Sequence, residues 1–435
     1  MFCSTTFRLI FVCFAFLGPV IADGEERPNL ILLLADDLSA GMLSCYGGES
    51  VQTPALDLLA AEGIRYRFCF SPALCMPSRC ELLTGKYSHR NFLGRGNLAA
   101  SEPTIASKLR ELGYATCQIE KWHLNINQGA MPFEAGFDEY YHTKLIHNYT
   151  NPVVDVNGEE ASFPDGYGPQ ICQKFAFDFI ERHRDEPFFL YYAIHLPHAP
   201  YHVPPGYDLE PKSTNQDKYF AMVAHLDERV GKLVEHLELL SLRERTLLIF
   251  VGDNGTPKGF RYLSQGQRQE GGKASLLDSG THVPMIVSWP GKVEKGQVVD
   301  HLIDFADFLP TALEMAGLPP LSKQATDGIS FYRQLLNDPK APVRKIAFKF
   351  GVQNGGKGAG PSGGYWARTQ RWKLYDDGRF YDMRNDPVES ESLPMGAARD
   401  GGESARLKLR MFLGRSGAED ALKEYRRENK KASTN

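Results

Sequence analysis

The stretch NLILLLA, residues 29–35, is an unbroken apolar run that ends in Asp36 and Asp37. Continuous rather than alternating hydrophobicity predicts a strand that is buried on both faces, as in a parallel sheet. The same reasoning predicts further strands at 114–119, 188–194, 246–251 and 283–288. Helices are predicted among them at 54–62, 105–112, 171–183 and 219–240. This alternation predicts an α/β fold, a layered domain with a largely parallel central sheet flanked by helices.

The chain has 435 residues, enough for one large domain and a smaller one. After about residue 340 a glycine-rich stretch at 355–364 is followed by WKLY (372–375) and RFYDM (379–383), on either side of Asp377-Gly378. Asp-Gly between two short strands is typical of a β-hairpin. We therefore predict a main domain at 23–340 and a C-terminal α+β subdomain with a short antiparallel sheet and a charged tail at 341–435.

The N-terminus carries an apolar run at 9–20 that follows Arg8 and precedes small residues ending at Ala22. This order predicts a secretory signal peptide at 1–22 and a secreted or periplasmic protein. The alternatives are a retained membrane anchor and a buried helix. The run is short for a transmembrane helix, which needs about 20 apolar residues, and no second run approaches that length. We therefore expect no stable membrane span.

Charge and cysteine usage exclude some functions. Lys and Arg number 49 against 53 Asp and Glu, a net charge of -4, so no nucleic-acid partner is expected. Six of the eight cysteines would remain after signal-peptide removal, and their pairing stays open. No Cys-x-x-Cys pair occurs, which argues against a zinc or thioredoxin-type site.

Polar side chains that can do chemistry follow four of the predicted strands. Ligands of open α/β sheets bind beyond the carboxyl ends of strands, so we expect these side chains to form one site. Their oxygen donors suit Ca²⁺ or Mg²⁺ rather than zinc. In chain order the residues are Asp36, Asp37, Lys121, His123, His195, His198, Asp253 and Asn254.

The segment CMPSRCELLTG, residues 75–85, adds a further candidate group. Pro77 suits a first helical turn and Gly85 a helix end. Cys75 is therefore expected at the start of a short helix, where the dipole favours anions. The alternative from this pattern alone is a buried cysteine in a short structural helix.

This segment matches the signature C-x-P-S-R-x-x-x-L-T-G at seven fixed positions, and the chain resembles the formylglycine-dependent sulfatases of the alkaline phosphatase superfamily. KWHL (121–124), HLPHAP (195–200), Lys273 after Gly271-Gly272, and DFLPT (307–311) resemble other sulfatase motifs. The resemblance spans residues 28–317 and implies an alkaline-phosphatase-like fold. It differs at Glu120 and Asn125, which replace two motif glycines, and at DSGTHVP (278–284), a loose match.

The resemblance implies a cofactor set and a maturation partner. Cys75 is expected to be converted to formylglycine by a formylglycine-generating enzyme. One Ca²⁺ is expected, and its ligands are implied to be Asp36, Asp37, Asp253, Asn254 and the residue derived from Cys75.

The resemblance also implies an activity, the hydrolysis of a sulfate monoester in an aryl sulfate or, more plausibly for a secreted enzyme, a sulfated carbohydrate. Arg79, Lys121 and Lys273 are expected to hold the sulfate oxygens. His198 or Lys273 would protonate the leaving oxygen, and His123 would deprotonate the second hydroxyl of the hydrated aldehyde so that sulfate is expelled.

Two other functions remain open from the sequence. Phosphonate monoester and phosphodiester hydrolases of the superfamily resemble a site with His where this chain has Asn254, which favours sulfate. A non-catalytic protein that binds sulfated glycans would be expected to lack one of the implied catalytic residues, and none is missing. The substrate wall is expected from the segments 125–168 and 355–365, with Trp366 and Arg368 after the second; ordinary loop packing of these aromatic and cationic residues is an equal alternative.

Overall fold

The computed structural model describes residues 27–91, 97–125, 129–143, 149–351 and 363–432. The described strands are β1 (Asn29–Ala35), β2 (Ile64–Phe70), β3 (Ala115–Glu120), β4 (Glu139–Thr143), β5 (Val153–Val156), β6 (Glu159–Ser162), β7 (Phe188–Ala193), β8 (Thr246–Gly252), β9 (Arg261–Ser264), β10 (Gln267–Glu270), β11 (His282–Ser288), β12 (Gln297–Asp304), β13 (Ala347–Gly351), β14 (Gly364–Arg368), β15 (Trp372–Tyr375) and β16 (Phe380–Asp382).

The described helices cover the faces of these strands or connect them. They are α1 (Pro54–Ala61), α2 (Cys75–Thr84), α3 (Ser88–Asn91), α4 (Ile105–Glu111), α5 (Gly168–Arg182), α6 (Asn215–Leu239), α7 (Asp278–Thr281), α8 (Phe308–Met315), α9 (Tyr332–Leu335), α10 (Gly402–Arg415) and α11 (Ala418–Ala432).

In the described part of the chain, the largest sheet has ten strands in the order β12-β2-β11-β8-β1-β7-β3-β4-β5-β6. Five neighbours, β8, β1, β7, β3 and β4, are parallel, with Leu32 of β1 opposite Tyr191 and Ile249. The prediction of a largely parallel central sheet is confirmed. β11 runs antiparallel to both of its neighbours. The segment that joins β8 to β11 contains the two-stranded hairpin of β9 and β10 and the four-residue α7.

Alternate side chains of β1 enter two different cores. Leu30, Leu32 and Leu34 pack with residues of α2, α4 and α8 on one face of the sheet. Ile31 and Leu33 pack with residues of α5 and α6 on the other face. Burial on both faces explains the continuous apolar run, because no position of this strand faces water.

Two helices begin earlier than the sequence predicts. α5 begins at Gly168, three residues before the predicted 171, with Pro169 in its first turn. α6 begins at Asn215 in place of 219 because Thr214 and Asp217 form a reciprocal cap. The Thr214 hydroxyl accepts from the Asp217 N–H at 3.2 Å, and the Asp217 carboxylate accepts from the Thr214 N–H at 2.7 Å.

The C-terminal sheet is antiparallel, in the order β13-β14-β15-β16. The predicted hairpin is confirmed, with Gly378 in the left-handed region (φ 92°) between β15 and β16. This sheet packs with α10 and shares a hydrophobic core with Tyr87 and Ala306 of the larger part of the chain. The small sheet is therefore anchored to the segment that follows α2.

The proposed signal peptide, residues 1–22, and the 355–362 part of the expected substrate wall lie outside the described residues. Among the residues that are described, no helix has the length and apolarity that crossing a membrane requires.

Candidate active site

The candidate site lies at the carboxyl ends of four adjacent parallel strands. Asp36 follows β1, Lys121 follows β3, His195 lies two residues after β7, and Asp253 follows β8. Backbone bonds hold these ends together: the Asp253 N–H donates to Ala35 O at 2.8 Å, and the Lys121 N–H donates to Ala193 O at 3.1 Å. Because these strands run parallel, Asp36 and Asp253 lie at the same edge of the sheet although more than 200 residues separate them in the sequence.

Cys75 is the first residue of α2, which ends at Gly85 in the left-handed region (φ 66°). Both ends agree with the sequence-based expectation. The Cys75 side chain is buried, and its Sγ lies 3.3 Å from Asp36 Oδ1 and 3.8 Å from Asp37 Oδ1. Burial and the neighbouring carboxylates of Asp253 and Asp36 raise the pKa of the thiol. The unmodified thiol is therefore protonated and a weak nucleophile.

Arg79, one turn further along α2, is fully buried and connects two strand ends. Its Nη2 donates to Asp253 Oδ2 at 2.9 Å and its Nη1 donates to Lys121 O at 2.8 Å. Burial and the charge of Asp36 raise the pKa of Asp253 to about 7 against the opposing effect of Arg79. The guanidinium thus lies inside the site as a fixed positive charge.

Two lysines contact the paired aspartates. Lys121 Nζ contacts Asp36 Oδ2, and Lys273 Nζ donates to both oxygens of Asp37, at 2.6 and 2.7 Å. Burial alone would raise the pKa of Asp36, but Lys121 and His198 hold it well below its usual range. Three cations therefore face three carboxylates, those of Asp36, Asp37 and Asp253.

His198 approaches the same carboxylates. Its Nε2 lies 3.8 Å from Asp37 Oδ2, and its Nδ1 donates to Ala199 O at 2.7 Å, since a carbonyl can only accept. Burial lowers the pKa of His198. The Tyr149 hydroxyl lies 3.0 Å from His195 O and 2.7 Å from His198 O. Tyr149 thus holds the histidine segment in place.

His123 differs from the other predicted residues because no contact joins it to the carboxylates among the described residues. Its backbone is left-handed (φ 61°), and its buried Nδ1 has no partner among the described side chains. Burial, with the charges of Lys121 and Arg79, lowers the pKa of His123 to about 3. The ring is therefore neutral at neutral pH. The other predicted residues are linked by direct contacts; they are Asp36, Asp37, Cys75, Arg79, Lys121, His198, Asp253, Asn254 and Lys273.

The donor set fits a hard divalent cation. Ligand atoms of Asp36, Asp37, Cys75 and His198 lie within 4.8 Å of one another. The Asn254 Nδ2 donates to Asp37 Oδ1 at 2.7 Å, while its buried Oδ1 has no partner among the described groups. A buried carbonyl oxygen without a donor is costly unless a cation or water binds it. Oxygen donors of this kind favour Ca²⁺ or Mg²⁺.

Two buried residues at this edge, His195 and Glu120, received no specific role from the sequence, although His195 was expected in the site. His195 Nε2 lies 4.0 Å from Asp36 Oδ2. In the sequence, His195 can be recognised as the first histidine of HLPH. Glu120 occupies a left-handed position (φ 75°) with 2% of its surface exposed, and its Oε2 has no partner among the described residues. In the sequence, Glu120 can be recognised because it replaces a motif glycine, and glycine adopts a positive φ without strain.

Two side chains expected in the substrate wall are buried instead. Trp366 belongs to a hydrophobic cluster with Phe70, and Arg368 contacts Asp278. They hold the C-terminal sheet against the segment that follows Lys273 rather than facing an open pocket.

The Sulfatase family model matches residues 28–318. The chain belongs to the sulfatase family. A second model, the C-terminal region of N-sulphoglucosamine sulphohydrolase, matches residues 272–400. The chain is 31% identical to N-acetylgalactosamine-6-sulfatase of Homo sapiens over 361 residues, 73% of this chain and 68% of that protein. It is 33% identical to arylsulfatase A of Homo sapiens over 362 residues, 74% of this chain and 70% of that protein.

A solved structure of a protein in complex with its substrate D-glucosamine-2-N,6-O-disulfate shares this sulfatase's fold, with a TM-score of 0.76 at 23% identity. It covers 92% of this chain and 99% of the solved chain. The predicted family, α/β fold and enzyme class are confirmed. The chain is a sulfatase, and family and relatives support sulfate ester hydrolysis.

Proposed function

We propose that this sulfatase removes sulfate from a sulfated carbohydrate, using formylglycine derived from Cys75 and one calcium ion. The observation that carries the proposal is the position of Cys75 at the start of α2, 3.3 Å from Asp36 Oδ1 and beside three buried or half-buried cations. A reactive group at this position would lie next to the carboxylates that can bind a cation and next to the cations that can bind a sulfate.

The calcium would be held by Asp36, Asp37, Asp253 and Asn254, together with the residue derived from Cys75. Bound calcium supplies positive charge that lowers the pKa of a coordinated hydroxyl. Formylglycine supplies a hydrated aldehyde, whose first hydroxyl is a nucleophile toward sulfur and whose second allows sulfate to be expelled. The unpartnered Asn254 Oδ1 supports the cation site.

Arg79, Lys121 and Lys273 bind the sulfate oxygens in this proposal. Their positions are fixed before substrate arrives: Arg79 is held by Asp253, and Lys273 is held by both oxygens of Asp37. Preorganised positive charge in a site that excludes water stabilises the extra negative charge of the transition state without reorganisation.

The histidines move protons. Nδ1 of His198 donates to Ala199 O and its Nε2 faces the site. The protonated imidazolium form, which Asp36 and Asp37 favour, therefore donates its Nε2 proton to the leaving oxygen; Lys273 is the alternative donor. His123 is neutral and its Nδ1 is free of partners among the described residues, so it can accept the proton of the second hydroxyl.

We also propose that residues 1–22 are a signal peptide that exports the enzyme, and that a formylglycine-generating enzyme matures it. The chain is then organised as a catalytic domain at 23–340 and a C-terminal subdomain at 341–435. The apolar run at 9–20 supports export. The disulfated glucosamine bound by a structural neighbour supports a sulfated-carbohydrate substrate.

Mass analysis of the peptide that contains Cys75 tests the proposal. Active enzyme should carry the aldehyde there and react with a hydrazine probe, and Cys75→Ala should be inactive. Cys75→Ser should accumulate a sulfated enzyme after one turnover, because serine has no second hydroxyl. Steady turnover by the serine variant, or full activity with unmodified Cys75, would exclude it. Faster hydrolysis of an aryl phosphonate than of the matched aryl sulfate would favour the phosphonate alternative.

A further inference from the structure

A cavity of about 450 Å³ lies between the residues that flank the candidate site and the C-terminal sheet. Leu74, which precedes Cys75, and Ala274, which follows Lys273, both line it. Phe350 of β13 and Tyr375 of β15 form part of the opposite wall. The cavity is therefore lined by the direct sequence neighbours of two candidate site residues, Cys75 and Lys273.

Two exposed cations, Lys258 and Arg426, line this cavity. Lys258 lies four residues after Asn254, and Arg426 lies on α11; among the described residues neither forms an ion pair. Arg426 Nη2 donates to the backbone carbonyl of Gly363 at 3.1 Å, and the charge of Arg426 opposes the rise in the pKa of Asp376 that burial causes. An unpaired cation in a concave, partly enclosed place is a ready site for an anion.

Among the described residues that line the cavity, the other charged ones are Arg379, Asp376 and Asp377. Arg379 Nε donates to Asp377 Oδ2 at 2.7 Å, so these two charges neutralise each other. Asp376 Oδ1 accepts from the Tyr365 N–H at 3.3 Å, and burial raises the pKa of Asp376. Lys258 and Arg426 therefore leave the cavity with an excess of one positive charge when Asp376 is ionised.

Apolar surface completes the lining. Leu276, Phe350 and Tyr375 contribute to the wall, and the Tyr375 hydroxyl is already bonded to Leu276 O and to Glu389. Sugar rings present C–H faces that pack on such surface, while their charged substituents need cations. The volume falls in the range of small-molecule sites, about 300–1,000 Å³, and suits one sugar unit beside the reacting one.

We propose that this cavity binds a second anionic group of the substrate, a carboxylate or sulfate on the sugar unit next to the scissile ester, through Lys258 and Arg426. This inference rests on the proposed function, and it narrows the substrate class to polyanionic oligosaccharides. The carboxylate and the second sulfate share the chemistry that the two cations recognise.

Binding to a Cys75→Ala background, measured by titration calorimetry, tests the subsite without turnover. The probes are a 6-sulfated N-acetylhexosamine linked to a uronate, the same sugar linked to an uncharged hexose, and the hexosamine with a second sulfate. A charged probe should bind at least tenfold more tightly than the uncharged disaccharide. Added Lys258→Ala and Arg426→Gln substitutions should abolish that preference, and 0.5 M salt should weaken it.

Arg427→Gln is the matched control. Arg427 is the next residue on α11, is 69% exposed and pairs with Glu424 at 3.7 Å, so its loss should change the affinity less than twofold. Preference for the uronate or for the second sulfate identifies the group, and both support the subsite. Equal binding of charged and uncharged probes, or an unchanged preference in the double variant, overturns it. Sulfate release from an aryl sulfate by unsubstituted enzyme tests the proposed function separately.

Discussion

The ammonium of Lys349 in β13 contacts the carboxylate of Glu81 in α2, and both side chains are buried. Lys349 also lies 2.5 Å from Asp304 Oδ1 at the end of β12. One cation of the C-terminal sheet is thus shared by the helix that begins at Cys75 and by the central sheet. The small sheet therefore has a direct role in holding α2 in position.

Lys349→Met should destabilise the fold by about 3–5 kcal/mol, because it leaves the buried carboxylate of Asp304 without its cation. Denaturant unfolding followed by circular dichroism measures the loss. Glu81→Gln alone should cost less than Lys349→Met, because burial raises the pKa of Glu81 well above its ordinary value and its carboxyl carries a proton.

The matched control is Lys423→Met on α11, where Lys423 and Glu419 form an ion pair at 2.7 Å with both side chains more than 60% exposed. Its effect on the free energy of unfolding should lie within the error of the measurement. A similar loss for Lys349→Met and Lys423→Met would contradict the structural role of the buried pair.

Calcium should stabilise the enzyme through Asn254 as well as through the aspartates. At 100 times its dissociation constant, an ion that binds only the folded state adds about 2.7 kcal/mol to the free energy of unfolding. Thermal unfolding with calcium and with a chelator should show this increment. Asn254→Leu, which keeps the volume but removes the unpartnered oxygen, should lose most of it. An equal calcium response in the Leu variant would place the ion elsewhere.

The sequence was sufficient to predict the strands at the centre of the fold, but it was not sufficient to predict all of those at its periphery. β1 was predicted at its true ends because both of its faces are apolar. β2 was not predicted, because Arg65 and Arg67 interrupt its pattern. The order of the motifs identified the residues at the strand ends, but it does not give the distances between side chains that are far apart in the sequence. It could not reveal that Lys258 and Arg426, 168 residues apart in numbering, line one cavity.

Glu120 should make the stability depend on pH. Burial raises the pKa of its carboxyl to about 8, against the opposing effect of the His195 N–H. The folded state thus keeps a proton that the unfolded chain releases near its ordinary value of about 4.3. Stability contributed by this group is complete below that value, falls as the pH rises toward 8, and is constant above it.

Glu120→Gln removes the ionisation while keeping the shape. The free energy of unfolding of this variant relative to the parent should be nearly unchanged at pH 4.5 and should rise by up to about 4 kcal/mol at pH 8.5. Glu120→Gly should show the same trend plus a pH-independent gain, since glycine relieves the positive φ. Chemical denaturation at both pH values measures this. A gain in the Gln variant that is equal at both would show that Glu120 is ionised throughout.

Substitutions of His198 and of Lys273 should differ in how strongly their effect on kcat/KM depends on the leaving group. A sugar alkoxide needs a proton as it departs, whereas 4-nitrophenolate leaves as a stable anion. His198→Asn should therefore lower kcat/KM by about 100-fold or more on a sugar sulfate but by less than about tenfold on 4-nitrophenyl sulfate. Lys273→Met removes a sulfate-binding charge and should lower kcat/KM on both substrates by a similar factor. The reverse pattern, with the leaving-group dependence in Lys273→Met, would assign the proton to Lys273, whose Nζ already lies within 2.7 Å of Asp37.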